Sequence, residues 1–349
     1  MPQTPAFAYI RQGIAPFFRL PQVDVHAGSP YADLDAVVIG VPYDMATTYQ
    51  PGARFAPYEV RRVSALLQSF HPGHKIDVFG TLRVRDGGNV AVPPFSASLS
   101  RDLIENEVAS IVGAGAAPFA LGGDHSIALP AMRAVAKKFG PLAVVHVDAH
   151  LDTSDAEVWG DAYHHGTPLR HAIQEGLVER GQLHQVGIRA TWGDKSEADL
   201  ALGHGSSIYD MGAVAEHGVA SIAARIVASV GHRPVYVTFD IDAVDPAFAP
   251  GTGTPVPGGL SSREAIGLLR ALSGVRVVGM DLVEVCPALD HADLVLQIPA
   301  QTWDGGSGLP LGGQYELALW LLGDLAVELL MRRLDIGPER LAAGHVNLG

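Results

Sequence analysis

The chain predicts a three-layer α/β/α domain built on a parallel sheet. Two patterns and one absence predict it. Short runs rich in Val and Ile recur along the sequence; they are too uniformly apolar to have a wet face and read as strands buried on both sides. Amphipathic stretches at helical spacing separate them, and that alternation implies a sheet covered on both faces. No linker or internal repeat divides the 349 residues. A single domain is therefore expected over 1–349, with a core over about 35–335 and an N-terminal arm over 1–34.

In chain order, the buried-strand runs are 36–41, 118–121, 142–147, 185–188, 235–241 and 275–283. Leu103, Ile104, Val108, Ile111 and Val112 fall on one helical face, as do Val219, Ile222, Ala223, Ile226, Val227 and Val230. Ser261-Ser262-Arg263-Glu264 is a capping box that opens a helix stopping at Gly274. Two stretches break the rhythm: a polar loop over 153–165, and a Gly/Pro-rich segment over 294–313. The most apolar stretch, 315–331, carries Glu316, Asp324 and Glu328, so it reads as a buried helix, not a membrane span.

Composition narrows the partners. With 48% hydrophobic and 17% charged residues, a large core is available. Lys+Arg total 24 against Asp+Glu 37, a formal charge of −13, which argues against nucleic acid and membrane surfaces as partners. Cys286 is the single cysteine, so there is no internal disulfide; it reads as a small buried residue. With no apolar signal core near the N-terminus, a cytoplasmic location is expected.

Three runs carry the chemistry: Gly122-Gly123-Asp124-His125-Ser126, Val147-Asp148-Ala149-His150-Leu151-Asp152, and Asp240-Ile241-Asp242-Ala243-Val244-Asp245. The second and third follow or end buried strands, where ligands of open α/β sheets bind. Strand alternation would point Asp148, His150 and Asp152 one way, and Asp240 and Asp242 one way. Carboxylates buried there unpaired would be costly. Aimed at one spot with histidines, they suit two divalent ions sharing a water. An oxygen-rich set without cysteine favours two Mn2+ per chain, with Ni2+, Co2+ or Fe2+ as alternatives.

Together with His165-Gly166-Thr167-Pro168, the segment 240–255 and Asp281-Leu282-Val283-Glu284-Val285, these runs resemble the ureohydrolases, the family of arginase and agmatinase. The likeness runs in order from Val37 to Asp293 and lies nearer the agmatinase, guanidino-acid and proclavaminate amidinohydrolase branch. It implies an eight-stranded parallel sheet and a homotrimer or homohexamer, with a hetero-oligomer with a homologous subunit as the alternative. His125, Asp148, Asp152 and Asp240 correspond to ligands of one metal, and Asp148, His150, Asp240 and Asp242 to those of the other. Glu284 corresponds to the carboxylate that receives a guanidinium, and His165 to a histidine that helps move protons. The chain departs from the family at Arg85-Asp86-Gly87-Gly88-Asn89 and over 294–313.

The expected activity is hydrolysis of a small guanidino compound to urea, or a urea analogue, and an amine. Metal-bridging hydroxide would attack and Asp152 would relay the proton. Asp155, Glu157 and Asp161 give the 153–165 loop an acidic rim suited to a cationic tail, as in agmatine or a substituted guanidine or biguanide, and Trp159 and Tyr163 are expected to wall the pocket. A guanidino-acid substrate such as guanidinobutyrate is the alternative, with Arg170 or Arg189 to pair with its carboxylate. A phosphatase would need cations among the ligand runs, which have none. A non-catalytic subunit of the same fold would have no chemical need of the complete ligand set.

Overall fold

The computed structural model describes residues 15–65, 68–71, 76–155 and 160–290. The Gly/Pro-rich segment over 294–313, the apolar stretch over 315–331, Glu157 and Trp159 lie outside them.

The strands are β1 (Ala36–Gly40), a small hairpin of β2 (Phe70–His71) and β3 (Ile76–Asp77), β4 (Val84–Asn89), β5 (Ala117–Leu121), β6 (Leu142–Val147), β7 (Val178–Ile188), β8 (Ser207–Asp210), β9 (Pro234–Asp240) and β10 (Arg276–Val283). Eight of them form one sheet in the order β4-β1-β5-β10-β9-β6-β7-β8. Every pairing in it is parallel. The six apolar runs became six strands, with β7 beginning earlier than the sequence suggested. The two edge strands, β4 and β8, escaped the apolar pattern because an edge tolerates polar residues. Arg85 and Asn89 are exposed, and β8 is only half-buried.

Alternate strand residues feed two cores, one on each face. Ala143, Val145 and Val147 of β6 join Val38, Phe119 and Phe239 on one side; Leu142 and Val144 join Val37, Ile39 and Ala120 on the other. The helices Val219–Val230 and Ser262–Ala271 cover the first face, and Ala97–Ala114 and Ala128–Phe139 the second. Ser261 and Glu264 form the expected capping box. At the edge, buried Asp86 is held by two bonds from Arg61, whose guanidinium also reaches Asn89 and the Gly88 carbonyl. The departure at 85–89 therefore belongs to an edge clamp. Among the described residues no single helix is long and apolar enough to cross a membrane.

One buried side chain makes stability depend on pH. Both ring nitrogens of His184 are buried without a hydrogen-bond partner, and burial pushes its pKa down to about 4. An imidazole in the unfolded chain takes its proton near 6.5. Between these values the unfolded chain binds a proton that the folded one refuses, so stability falls as pH drops from 6.5 to 4. His184→Leu should remove up to about 3 kcal/mol of that acid-side loss. Urea-unfolding midpoints of both proteins, measured from pH 7 to 4.5 in excess chelator, should converge on neutrality and separate in acid.

Candidate metal centre

The four central strands, β5, β10, β9 and β6, end side by side, and the candidate residues leave from their carboxyl ends. Each ligand-bearing turn is made the same way. Asp124 Oδ1 accepts from the backbone N–H of Ser126 at 3.0 Å, Asp148 Oδ1 from that of His150 at 2.6 Å, and Asp240 Oδ1 from that of Asp242 at 2.8 Å. A carboxylate bonding the amide two residues on folds the chain into a tight turn. The expectation from strand alternation is therefore corrected: β6 stops at Val147 and β9 at Asp240, and turns bring the side chains together. Gly187, at φ +101°, permits the packing beside β6; a Cβ there would lie 2.9 Å from the Asp148 carbonyl oxygen.

His125 Nδ1 lies 3.0 Å from Asp148 Oδ2, 2.9 Å from Asp152 Oδ2 and 3.3 Å from Asp240 Oδ2. His150 Nδ1 lies 3.0 Å from Asp242 Oδ2 and 3.3 Å from Asp148 Oδ1. Asp148 thus presents one oxygen to each histidine. Asp240 faces His125, while its other oxygen holds the turn. All four aspartates are buried.

The hydrogen-bond chain behind His125 fixes which nitrogen faces the carboxylates. Thr238 Oγ1 donates to Asp281 Oδ1 at 2.6 Å, and Tyr236 OH donates to Asp281 Oδ2 at 2.7 Å. Having spent its proton, Thr238 accepts from His125 Nε2 at 2.8 Å. Nδ1 is then the lone-pair nitrogen of a neutral ring, buried without a hydrogen-bond partner, as is Asp152 Oδ2. A lone pair aimed at three carboxylate oxygens repels them unless a cation lies between. Separations of about 3 Å are those between neighbouring ligands of an octahedral ion with bonds of about 2.1 Å. The donor set therefore fits divalent metal. Without a cation, burial works against a charged His125, but Asp152, Asp148 and Asp240 together hold its pKa well above the usual value.

Two residues that sequence reasoning missed orient Asp148. Gln185 Nε2 donates to the Leu151 carbonyl at 2.8 Å and lies 3.1 Å from His146 Nδ1. The carbonyl can only accept, so the amide nitrogen faces it and donates to Nδ1 as well. The His146 proton then sits on Nε2, which donates to Asp148 Oδ2 at 2.7 Å. The signal was available: His146 and Gln185 are polar residues inside runs read as wholly buried strands.

Beside the cluster, Glu284 Oε1 accepts from the His125 backbone N–H at 2.9 Å and meets His165 Nδ1 at 2.8 Å. Glu284 Oε2 is buried and unpartnered. Thr48 Oγ1 lies 2.7 Å from His165 Nε2. Asp124 Oδ2 accepts from the Ala46 backbone N–H at 2.9 Å, fixing the loop that carries Thr48. Burial disfavours the His165 imidazolium, but Glu284 outweighs it and pushes the pKa up to about 9. Asp152 and Glu284 both adopt left-handed backbone, at φ 54° and 60°, a strain concentrated at functional positions.

A cavity of about 230 Å³ opens over His125, His150, Asp152, Asp240 and His165. His164, His165, Thr191, Trp192 and Glu197 line it with Asp152 and Asp240. Gly166 N–H donates to His164 Nδ1, so the His164 proton sits on Nε2, which is buried and unpartnered. Tyr163 is not among the lining residues; its ring stacks on His171 at 4.5 Å between centroids and lies under Arg101. Of the acidic residues of the 153–165 loop, Asp155 is paired with Arg170 and Asp161 accepts from the Tyr163 N–H. Arg189 is unsuited to hold a substrate carboxylate: its guanidinium donates to the carbonyls of Gly187, Asp242, Ala243 and Val256. Nothing in sequence periodicity marked Trp192 or Glu197.

Asp281→Asn would break the chain that presents His125 Nδ1, and Gln185→Leu the one that orients Asp148. Each should weaken metal binding about 10–100-fold. Metal retained after dialysis, read by atomic emission against the parent protein, checks this; a folded variant with full retention would contradict it.

The Arginase family profile matches residues 34–302. The proclavaminate amidinohydrolase of Streptomyces clavuligerus is 44% identical over 281 residues, covering 80% of this chain and 88% of that one. An agmatinase of Proteus mirabilis is 42% identical over 270 residues, covering 76% and 84%. A solved structure of the Streptomyces clavuligerus proclavaminate enzyme superposes with a TM-score of 0.78 at 38% identity, covering 93% of this chain and 99% of that one. The matched family, the eight-stranded sheet and the cluster at its centre agree: the chain belongs to the Arginase family and is an amidinohydrolase, a hydrolase of linear amidines.

Proposed function

We propose that the protein hydrolyses a small guanidino compound, agmatinase-like in character, to urea or a urea analogue and an amine. The observation that carries this reading is the juxtaposition of the His125–Asp148–Asp152–Asp240 and His150–Asp148–Asp242 groups with the unpartnered oxygen of Glu284. Two divalent cations held by these groups would acidify a shared water and supply hydroxide at neutral pH. The oxygen-rich donor set supports Mn2+, with Ni2+ as the alternative.

The chain's own residues would do the rest. Glu284 receives the guanidinium through Oε2, a buried carboxylate pairing with a planar cation. That pairing sets the guanidinium carbon beside the metal groups and supplies proximity. It also competes for the carboxylate that holds His165 protonated. With that partner shared, the His165 pKa falls and the ring can hand a proton towards the leaving amine or solvent. Asp152, already next to His125, would take the proton of the hydroxide once it has added to the guanidinium carbon and pass it to the leaving amine.

A guanidino-acid substrate is the second reading. It is supported by the 44% identity to an enzyme named for proclavaminate, by its name a carboxylate. For assembly we propose a homo-oligomer, a trimer or hexamer.

Urea release is the test, with the protein loaded separately with Mn2+ and Ni2+ and offered agmatine, guanidinobutyrate, arginine and guanidine. Turnover of at least one is expected; none, with two metals bound per chain, would sink the reading. Glu284→Gln should cost roughly 3 kcal/mol in kcat/KM, about a hundredfold. Asp152→Asn should lower kcat by about 10²–10⁴ in the fraction that retains full metal content. Near-parental turnover of that fraction would remove Asp152 from the proton path.

A further inference from the structure

The loop between β7 and the helix Ser196–His204 forms part of the cavity wall. It is anchored at both ends to the metal-bearing turns. At its start, the backbone N–H groups of Arg189 and Ala190 both donate to the Ala149 carbonyl, at 2.9 and 3.0 Å, and the Arg189 guanidinium is tied to four carbonyls, those of Asp242 and Ala243 among them. At its end, Thr153 Oγ1, one residue beyond Asp152, donates to the Glu197 carbonyl at 2.9 Å. The loop is thus held in register with the reacting groups.

Between the anchors, Thr191, Trp192, Gly193 and Glu197 line the cavity. Trp192 is 46% exposed, unusually open for a side chain of its size. Glu197 is 7% exposed; its Oε1 accepts from the Gly193 N–H at 2.8 Å, and no described residue donates to Oε2. Asp194 and Lys195, on the same loop, are exposed and do not line the cavity. Among the described residues, the lining contains no lysine or arginine. The cavity's unpartnered donor, His164 Nε2, belongs to the residue next to His165 in sequence.

We propose that Trp192 and Glu197 form the subsite that reads the non-reacting end of the substrate, and that they select a cationic tail such as a primary ammonium. This rests on the amidinohydrolase reading above and deepens it. An indole face and a carboxylate oxygen together suit an ammonium group. A carboxylate tail beside Glu197 would meet a buried like charge, and no lysine or arginine in the lining offsets it. Selectivity for the tail is thereby assigned to residues 191–197; Asp155 of the 153–165 loop is already paired with Arg170.

The experiment compares three substrates of equal chain length: agmatine, 1-butylguanidine and 4-guanidinobutyrate. Glu197→Gln keeps an acceptor for the Gly193 N–H and removes only the charge. The expected result is a loss in kcat/KM for agmatine of about tenfold or more, carried by KM, with 1-butylguanidine unchanged within about twofold. Trp192→Leu should weaken agmatine severalfold in the same manner. Equal effects on all three substrates would make the loop merely structural and overturn the proposal, as would a parental preference for 4-guanidinobutyrate, which leaves the amidinohydrolase reading intact. Calorimetric titration of the metal-loaded protein with butane-1,4-diamine needs no turnover and so separates the two levels. Binding that Glu197→Gln weakens about tenfold supports the subsite even if none of the three releases urea, and absence of binding to the parental protein overturns it.

Discussion

The centre of this protein is organised by an excess of buried negative charge. Asp148, Asp152, Asp240, Asp242, Asp124 and Glu284 are all buried within a few residues of the carboxyl ends of four adjacent strands. Removing that many carboxylates from water is prohibitive without cations or well-aligned donors. The structure supplies donors to one oxygen of several of them through backbone turns, and leaves the others aimed inward. What remains unsatisfied is the chemistry: a lone pair on His125, an oxygen of Asp152 and an oxygen of Glu284. The first two fit metal, and the last fits a guanidinium.

The rest of the domain keeps this arrangement rigid. The parallel sheet sets the four strand ends at fixed spacing, with Val283 opposite Asp240 and Val147 opposite Phe239. Two apolar cores clamp the sheet from either face. Behind the cluster, polar side chains work in series: Asp281 and Thr238 decide which nitrogen of His125 faces inward, and Gln185 and His146 hold the Asp148 carboxylate in one orientation. Each such link converts a floppy carboxylate or ring into one orientation. The outer loops can then differ between relatives without disturbing the reacting groups.

Much of this was legible in the sequence, for a physical reason. Strands buried on both faces must be apolar throughout, so the six inner runs stood out, and acids ending such runs need an explanation that metal provides. The edge strands β4 and β8 were hidden because their outer sides face solvent. The ligands were found for a partly mistaken reason: strand alternation pointed to the right residues, but the turns made by Asp148 and Asp240 bring them together. Positions that depend on tertiary neighbours were not legible. Tyr163 looked like a pocket wall until His171 and Arg101 were seen to occupy its faces, and nothing in the sequence marked Trp192 or Glu197 as facing the cavity.

The left-handed backbone at Asp152 and Glu284 has a consequence for anyone who would improve the protein. Each non-glycine residue held there costs on the order of 1–3 kcal/mol, a debt that the surrounding framework covers. Glycine would relieve the strain at both positions. Selection for heat resistance alone would therefore pull both sites towards glycine, discarding the two carboxylates on which turnover is argued to depend. Thermal robustness and catalysis are opposed at these two residues, and a library meant to raise one without the other should hold both fixed.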